Sequence, residues 1–565
     1  NRSDPSYAWC PGLNRWPFEQ ALAQSRQLNQ PYSEAVLLNN IGQIYDRRGD
    51  YAAAESVYQQ SLALRQQLGD AAGEATTLNN LGTIYVAQGR YDEARSRFDP
   101  ALTLAQNIGN PFIESATLSN LGLTYDNQGD YGRAQDYYQQ SLALRREIGD
   151  REGEAITLNN LAAVYHVQQD YARAQAGYTE AIAVAEALGL QSLEASALNN
   201  LGNVYDDLSD YRQALAYYAR SLAIYQALGE VPGEANVLSN LGATYLSQGQ
   251  YAQALGVFEQ ALALRQTIGD RAGESLTLNN LGKAYEALGQ PERSLDYHQR
   301  AIALQTELNL QLEAAISWGN LGVTYIRLDR HTEAEQALRQ SIERYAAQGI
   351  PQEGRTALGN LGFLYDDQEQ YGQALDYYQQ ALALAEAAND RIGSATLLNN
   401  IGLIYLVESW FQQAEQVLTL ALAIQRDIGD RIGEGVTLTN LGRSYLDAGN
   451  YGAAVDPLTG AIELWESLRP GLGDRDKVSL FDTQASTYRH LQATYVGLNQ
   501  PEQALVVAER GRAQAFAELL AGRLGREGVA DVPALMVTLA GLKQVAQQQQ
   551  ATLVEYAVVE TAAAS

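Results

Sequence analysis

Asparagine stands at residue 40 and at every fortieth residue after it as far as 440, eleven positions in all. An amide side chain carries both a donor and an acceptor, so such a column can hold peptide backbone whatever its sequence. A second set of candidate groups is acidic: Asp46, Asp126, Asp206, Glu286 and Asp366, with Asp207 and Asp367 next to two of them. Carboxylate pairs do general acid–base work only when their surroundings drive their pKa values apart. Adjacent acids at helix ends are either solvated charge or a surface for Lys and Arg of a ligand. A nucleophilic dyad would have to join Cys10, the only cysteine, to one of four scattered histidines (His166, His298, His331, His490). Neither zinc-ligand spacing nor a phosphate-binding glycine loop between strand and helix is present. The expectation is a protein with no catalytic residue, no metal and no cofactor.

Composition narrows the partners. A chain of 565 residues is too long for one ordinary core, and 46% apolar with 19% charged residues fits a folded array. The formal charge is −27 with only three lysines, Lys283, Lys477 and Lys543. Such a surface repels phosphate backbones, so the expected partners are proteins or peptides, basic ones above all, and not nucleic acid. No apolar run reaches 18 residues, so no membrane insertion is expected. The sequence begins at Asn1 with no signal-peptide pattern, as expected of a mature form after signal removal or a fragment of a longer chain, and both an extracytoplasmic and a cytoplasmic location stay open.

The elements that must position these groups follow from the same forty-residue beat. After each Asn of the column come Leu or Ile, then Gly (Ala162 is the exception), then a Tyr at 45 and every fortieth residue to 445. Leu78, Leu81 and Tyr85 are spaced as one face of a helix. Tyr91, Ala94, Phe98, Ala101, Leu102 and Ile108 make a second stripe. Gly82 and Ala94 allow close approach of the two helices. Gly89 and Gly109 are placed as left-handed caps, and Asp70, Asn110, Asp150, Asp270 and Asp430 as N-caps of the next pair. No repeat holds a continuous core of its own, so neighbours must stack into a solenoid.

The pattern resembles the tetratricopeptide repeat (TPR) family. Its W-x2-L-G-x2-Y motif is complete in Trp318, Leu321, Gly322 and Tyr325, and its A-x3-F element is met by Ala94 and Phe98. The resemblance implies an all-α, right-handed TPR α-solenoid. The domains expected are a partial repeat over 1–30, eleven repeats over 31–470, an atypical helix pair over 471–524 and a spacer over 525–565. The six residues by which each repeat exceeds the usual thirty-four are expected to be shared between helix ends and the loop near 107–116. "AERGRAQAFAELL" (508–520) and "TLVEYAVV" (552–559), the latter with strand character, resemble the junction into a caspase-like CHAT domain, as in bacterial TPR–CHAT proteins. No His or Cys lies beyond His490, so no protease residue carries over.

In the TPR family the first helices line a concave groove, and the resemblance places the Asn column where side chains hydrogen-bond an extended bound peptide. The candidate groove residues are Asn80, Asn120, Asn160, Asn200, Asn240, Asn280, Asn320, Asn360 and Asn400, with Asp126, Asp206 and Asp366 at the helix ends. The other role open to the amides is a ladder to the backbone of neighbouring repeats. The preceding column varies (Asn79, Ser119, Ser239, Gly319, Gly359, Thr439) and reads as a groove position that sets ligand preference. One turn beyond the column the residues vary freely, from Gln43 and Thr83 to Lys283, Phe363 and Arg443. The leading expectation is a non-enzymatic interaction scaffold. The alternatives are the sensor arm of a CHAT protease and a structural protein that stacks end to end.

Overall fold

In the computed structural model, residues 16–468 and 474–511 are described, and they are α-helical apart from short connections and one 3-10 turn, Pro351–Gly354. The chain divides into two compact units, Asn1–Thr244 and Tyr245–Ser565. Each is a row of antiparallel helix pairs, with no strand among the described residues. Numbered from residue 31, repeat 2 consists of Ala71–Ala87 and Tyr91–Asn107, and the other repeats follow in the same register. A helix over Trp16–Gln27 precedes repeat 1; Asp474–Gly497 and 501–511 follow repeat 11. The segment with strand character and all but the first residues of the CHAT-like junction lie outside the described residues.

The connections explain the period. Leu68 is followed by only two residues before the next helix starts at Ala71, and Arg47 by three before Tyr51. The added length therefore lies in the helices and not in the loop, contrary to the sharing expected. Left-handed caps make such tight reversals: Gly69, Gly89 and Gly109 have φ of 66°, 71° and 63°. Where glycine is lacking, Gln169, Ser209 and Glu369 still adopt φ of 57–60°, held there by the packing on both sides. The predicted N-caps form: Asp70, Asn110, Asp150, Asp270 and Asp430 each accept a bond from the backbone N–H three residues on, at 2.9–3.2 Å.

The core is built from the predicted stripes. Leu78, Leu81, Tyr85, Ala94, Phe98 and Ala101 are all buried. Ile108 is not in the stripe; the helix ends at Asn107 and Ile108 caps it, 40% exposed. The glycine column admits the aromatic of the second helix: a Cβ on Gly82 would lie 2.4 Å from Phe98 Cε1. The Ala162 exception has a partner. The second helix of that repeat carries Gly177, where a Cβ would come within 2.9 Å of Ala162 Cβ. The missing side chain has moved from one helix to the other, and close approach is kept. The tyrosine column is covered in two ways. Tyr125, Tyr205, Tyr285 and Tyr365 stack on a tyrosine of their second helix at 5.2–5.5 Å, and Tyr85, Tyr165 and Tyr325 lie under an arginine, as Tyr125 and Tyr285 also do.

Candidate functional site

Each member of the Asn column sits midway along a first helix, partly buried. Six of them donate Nδ2 to one kind of acceptor, the Oδ1 of the asparagine forty-one residues earlier. The pairs are Asn80–Asn39, Asn120–Asn79, Asn200–Asn159, Asn240–Asn199, Asn320–Asn279 and Asn440–Asn399, at 2.9–3.2 Å. The ladder therefore runs from side chain to side chain, not to the backbone of the neighbouring repeat. Its acceptors are the variable column. Asn39, Ser119, Asn279, Asn399 and Thr439 of that column are buried, so they face the neighbouring repeat and not an open groove.

The ladder is interrupted where its acceptor is missing. Gly319 and Gly359 precede Asn360 and Asn400 in register, and these two amides have no hydrogen-bond partner among the described residues. Asn280 is likewise unpartnered, and Asn160 accepts only from its own neighbour Asn159, at 3.5 Å. One substitution should thus act with opposite signs. Alanine is a better helix former than asparagine by about 0.6 kcal/mol, so Asn360→Ala with Asn400→Ala is expected to raise stability by about 1 kcal/mol. At Asn200 and Asn240 the same gain is outweighed by two ladder bonds of about 1 kcal/mol each, which leaves a net loss of about 1 kcal/mol. Urea unfolding of the two double variants measures the difference.

Six residues after the column stand the acids, half-buried at the ends of the first helices. Burial raises the carboxyls of Asp46, Asp126, Asp206, Glu286 and Asp366 above their ordinary range. Two have partners that moderate this: Asp206 accepts from Thr244 Oγ1 at 2.7 Å, and Glu286 pairs with Arg327 at 3.0 Å. Asp126 and Asp366 have neither a hydrogen bond nor a cation among the described residues. They are more buried than a solvated patch would be.

The residue type in this column follows that of the second helix twelve positions later. Asp46, Asp126, His166, Asp206, Glu286 and Asp366 are matched by Tyr58, Tyr138, Tyr178, Tyr218, His298 and Tyr378, whereas Val86, Leu246, Ile326, Leu406 and Leu446 are matched by Phe or Leu. The rule holds in all eleven repeats. The two groups sense each other without a hydrogen bond, since the hydroxyls of Tyr58 and Tyr138 are buried and unpartnered: burial first, then the charge of Asp126, pushes Tyr138 up. The signal was present in the sequence but needed the knowledge that the two columns touch.

The sign of the pH effect follows. Asp126 has a folded-state pKa above its unfolded value. Folding therefore loses stability as pH rises from the unfolded to the folded pKa, and the charged form destabilises above both. Asp126→Asn is expected to raise the melting temperature at pH 7 and to leave it nearly unchanged at pH 3. Thermal melts followed by circular dichroism at the two pH values check this.

Among the described residues no group of three or more His, Cys, Asp or Glu side chains could hold a metal, and no helix is long and apolar enough to cross a membrane. Cys10 lies outside the described residues.

A family model described as tetratricopeptide repeat matches residues 18–67, 73–147, 153–227, 233–307, 313–387 and 393–467. Tetratricopeptide repeat protein 28 of Mus musculus and that of Homo sapiens are each 48% identical to this chain over 65 residues, which is 11% of this chain. The chain spans only 3% of the length of these curated relatives. Among solved structures, the Rap protein complexed with competence and sporulation factor aligns at a TM-score of 0.46 and 15% identity, over 64% of this chain and 99% of that one. Successive family matches spanning most of the sequence, over helix pairs in the register just described, make this chain a member of the tetratricopeptide repeat family.

Proposed function

We propose that this protein-interaction scaffold holds an extended protein segment rich in basic residues along its first helices, in the groove they line. The observation that carries the reading is the pair Asp126 and Asp366, carboxylates half-buried on the first helices with no cation beside them. Leaving a charge desolvated and unpaired costs stability. A ligand that brings Lys or Arg to it recovers that cost on binding. The partly buried amides of the column add donors and acceptors that suit backbone of any sequence.

The test titrates the full chain with fluorescein-labelled nine-residue peptides that differ only in carrying three arginines, three serines or three glutamates. Binding by the arginine peptide, weakened by salt and by Asp126→Asn with Asp366→Asn, is the expected result. Equal affinity for all three peptides, or preference for the glutamate peptide, overturns the reading.

A further inference from the structure

Three features coincide in the groove of repeats 8–10. The ladder is broken twice in succession, because Gly319 and Gly359 offer no acceptor and leave the amides of Asn360 and Asn400 unpartnered. In the first unit Asn80, Asn120, Asn200 and Asn240 are engaged and the single break, at Asn160, has no second break beside it. Large apolar side chains stand beside the gap: Phe363, one turn from Asn360, is 50% exposed, and Ile316, one turn before Asn320, is 48% exposed. Single exposed apolar residues need no explanation, but two flanking a pair of missing side chains and two free amides make a shaped surface. Asp366 and Asp367 close it at the end of the same helix as Phe363, Arg355–Asp367, and neither carboxylate has a cation beside it among the described residues.

We propose that repeats 8–10 carry the sequence-selective part of the groove, and that they take an extended segment of a partner protein with two large apolar side chains and a Lys or Arg beside the second. This rests on the groove reading above and adds where in the groove, and for which side chains, selection occurs. One apolar side chain packs on the exposed Ile316, the other on the exposed Phe363. The basic group reaches Asp366 and Asp367, and the amides of Asn360 and Asn400 hold the backbone between.

The spacing follows from helix geometry. In register, Ile316 and Phe363 are seven residues apart along parallel helices, about 10 Å of axial rise. With about 9 Å between adjacent helices, the separation is about 14 Å, or about four residues of extended chain. The opposite substitution serves as a control. Gly359→Asn would restore an acceptor for Asn400, and there is room for it, since a Cβ at Gly359 meets only Leu397 Cδ2, at 3.4 Å. It restores that one rung and removes the free amide of Asn400, while Asn360 stays free opposite Gly319.

The experiment uses the full chain and an array of nine-residue fluorescein-labelled peptides in a serine–threonine background. Two leucines are set three, four or five residues apart, with arginine, serine or glutamate after the second. Fluorescence anisotropy is expected to select the four-residue spacing with arginine, and loss of either leucine should weaken binding about tenfold. Gly359→Asn and Phe363→Ser should each weaken it at least fivefold; the former should melt at the same temperature as the parent or higher. Leu420→Ser, at an exposed position of the second helix Phe411–Ile428, should leave affinity within twofold.

Binding that ignores Gly359→Asn and Phe363→Ser but falls with Asp126→Asn overturns this inference and leaves the groove reading standing. Failure of the whole array to bind overturns both. If Phe363→Ser instead abolishes self-association seen by sedimentation, the surface belongs to a second copy and the proposal fails.

Discussion

Asp70→Ala is expected to destabilise the protein by about 3 kcal/mol, among the largest effects of any surface-proximal substitution here. Asp70 does two jobs at a connection of two residues. Its Oδ1 accepts the backbone N–H of Gly73 at 3.0 Å and caps the first helix of repeat 2. Its Oδ2 accepts from Arg65 Nη1 at 2.9 Å, and Arg65 is only 7% exposed. Loss of a cap costs about 1 kcal/mol. A buried cation left without its anion costs about 3 kcal/mol or more, softened here because Arg65 Nε still reaches Ser61 Oγ at 3.3 Å. Asp70→Asn keeps the cap and should lose less than half as much. Urea unfolding of the two variants beside the parent checks the ordering; a loss below 1 kcal/mol for alanine would show that the pair is solvated.

The same unit recurs as Arg145–Asp150–Gly153 and Arg265–Asp270–Gly273. The glycine belongs to it, because a Cβ on Gly73 would fall 1.4 Å from Arg65 Nη1. Alanine replaces the arginine at 105, 185 and 385; the glycine column then holds Ile113 and Leu193 but keeps Gly393. Each arginine of this column faces a glycine because its guanidinium fills the space a side chain there would need, but the glycine also stands without it, at Gly233, Gly393 and Gly433.

Gly82→Ala should cost about 2 kcal/mol, although alanine is favoured over glycine in a helix by about 1 kcal/mol. The gain in propensity is outweighed because the new methyl would sit 2.4 Å from Phe98, a ring that is fully buried and has nowhere to move. Repeat 4 shows the accommodation that evolved for the same methyl, Ala162 facing Gly177. The register equivalent of Gly177 in repeat 2 is Arg97. Transplanting the pair as Gly82→Ala with Arg97→Gly should therefore lose less than the sum of the two single variants, by about 1 kcal/mol of coupling. A double-mutant cycle on thermal unfolding measures that coupling. Strict additivity would mean that the two helices can separate freely, which the buried ring argues against.

Much of the fold was legible because repetition converts one sequence into eleven aligned ones. The helix faces, the glycine column and the N-cap aspartates are consequences of local spacing, and local spacing is visible in a string. The loop length was misjudged because the added residues are good helix formers and a positive-φ cap needs only two or three residues to reverse the chain. The candidate site was half legible. The columns were found, but the direction in which each side chain points was not, since a residue partly buried on a groove and one turned toward the neighbouring repeat can be adjacent in sequence. Asn79 and Asn80 are that case.

The sequence alone determined the period, the helix pairs, the caps and the acidic character of the first-helix ends, because propensity, glycine φ and charge act within a few residues. Only the tertiary structure decided which amides are engaged. A bond from Asn80 to Asn39 spans forty-one residues and exists only when two first helices lie side by side. The same stacking separates the occupied ladder from its breaks, two of them at Gly319 and Gly359. What looked like one invariant column of asparagines is, physically, two populations: one held by its neighbours and one left with donors and acceptors free.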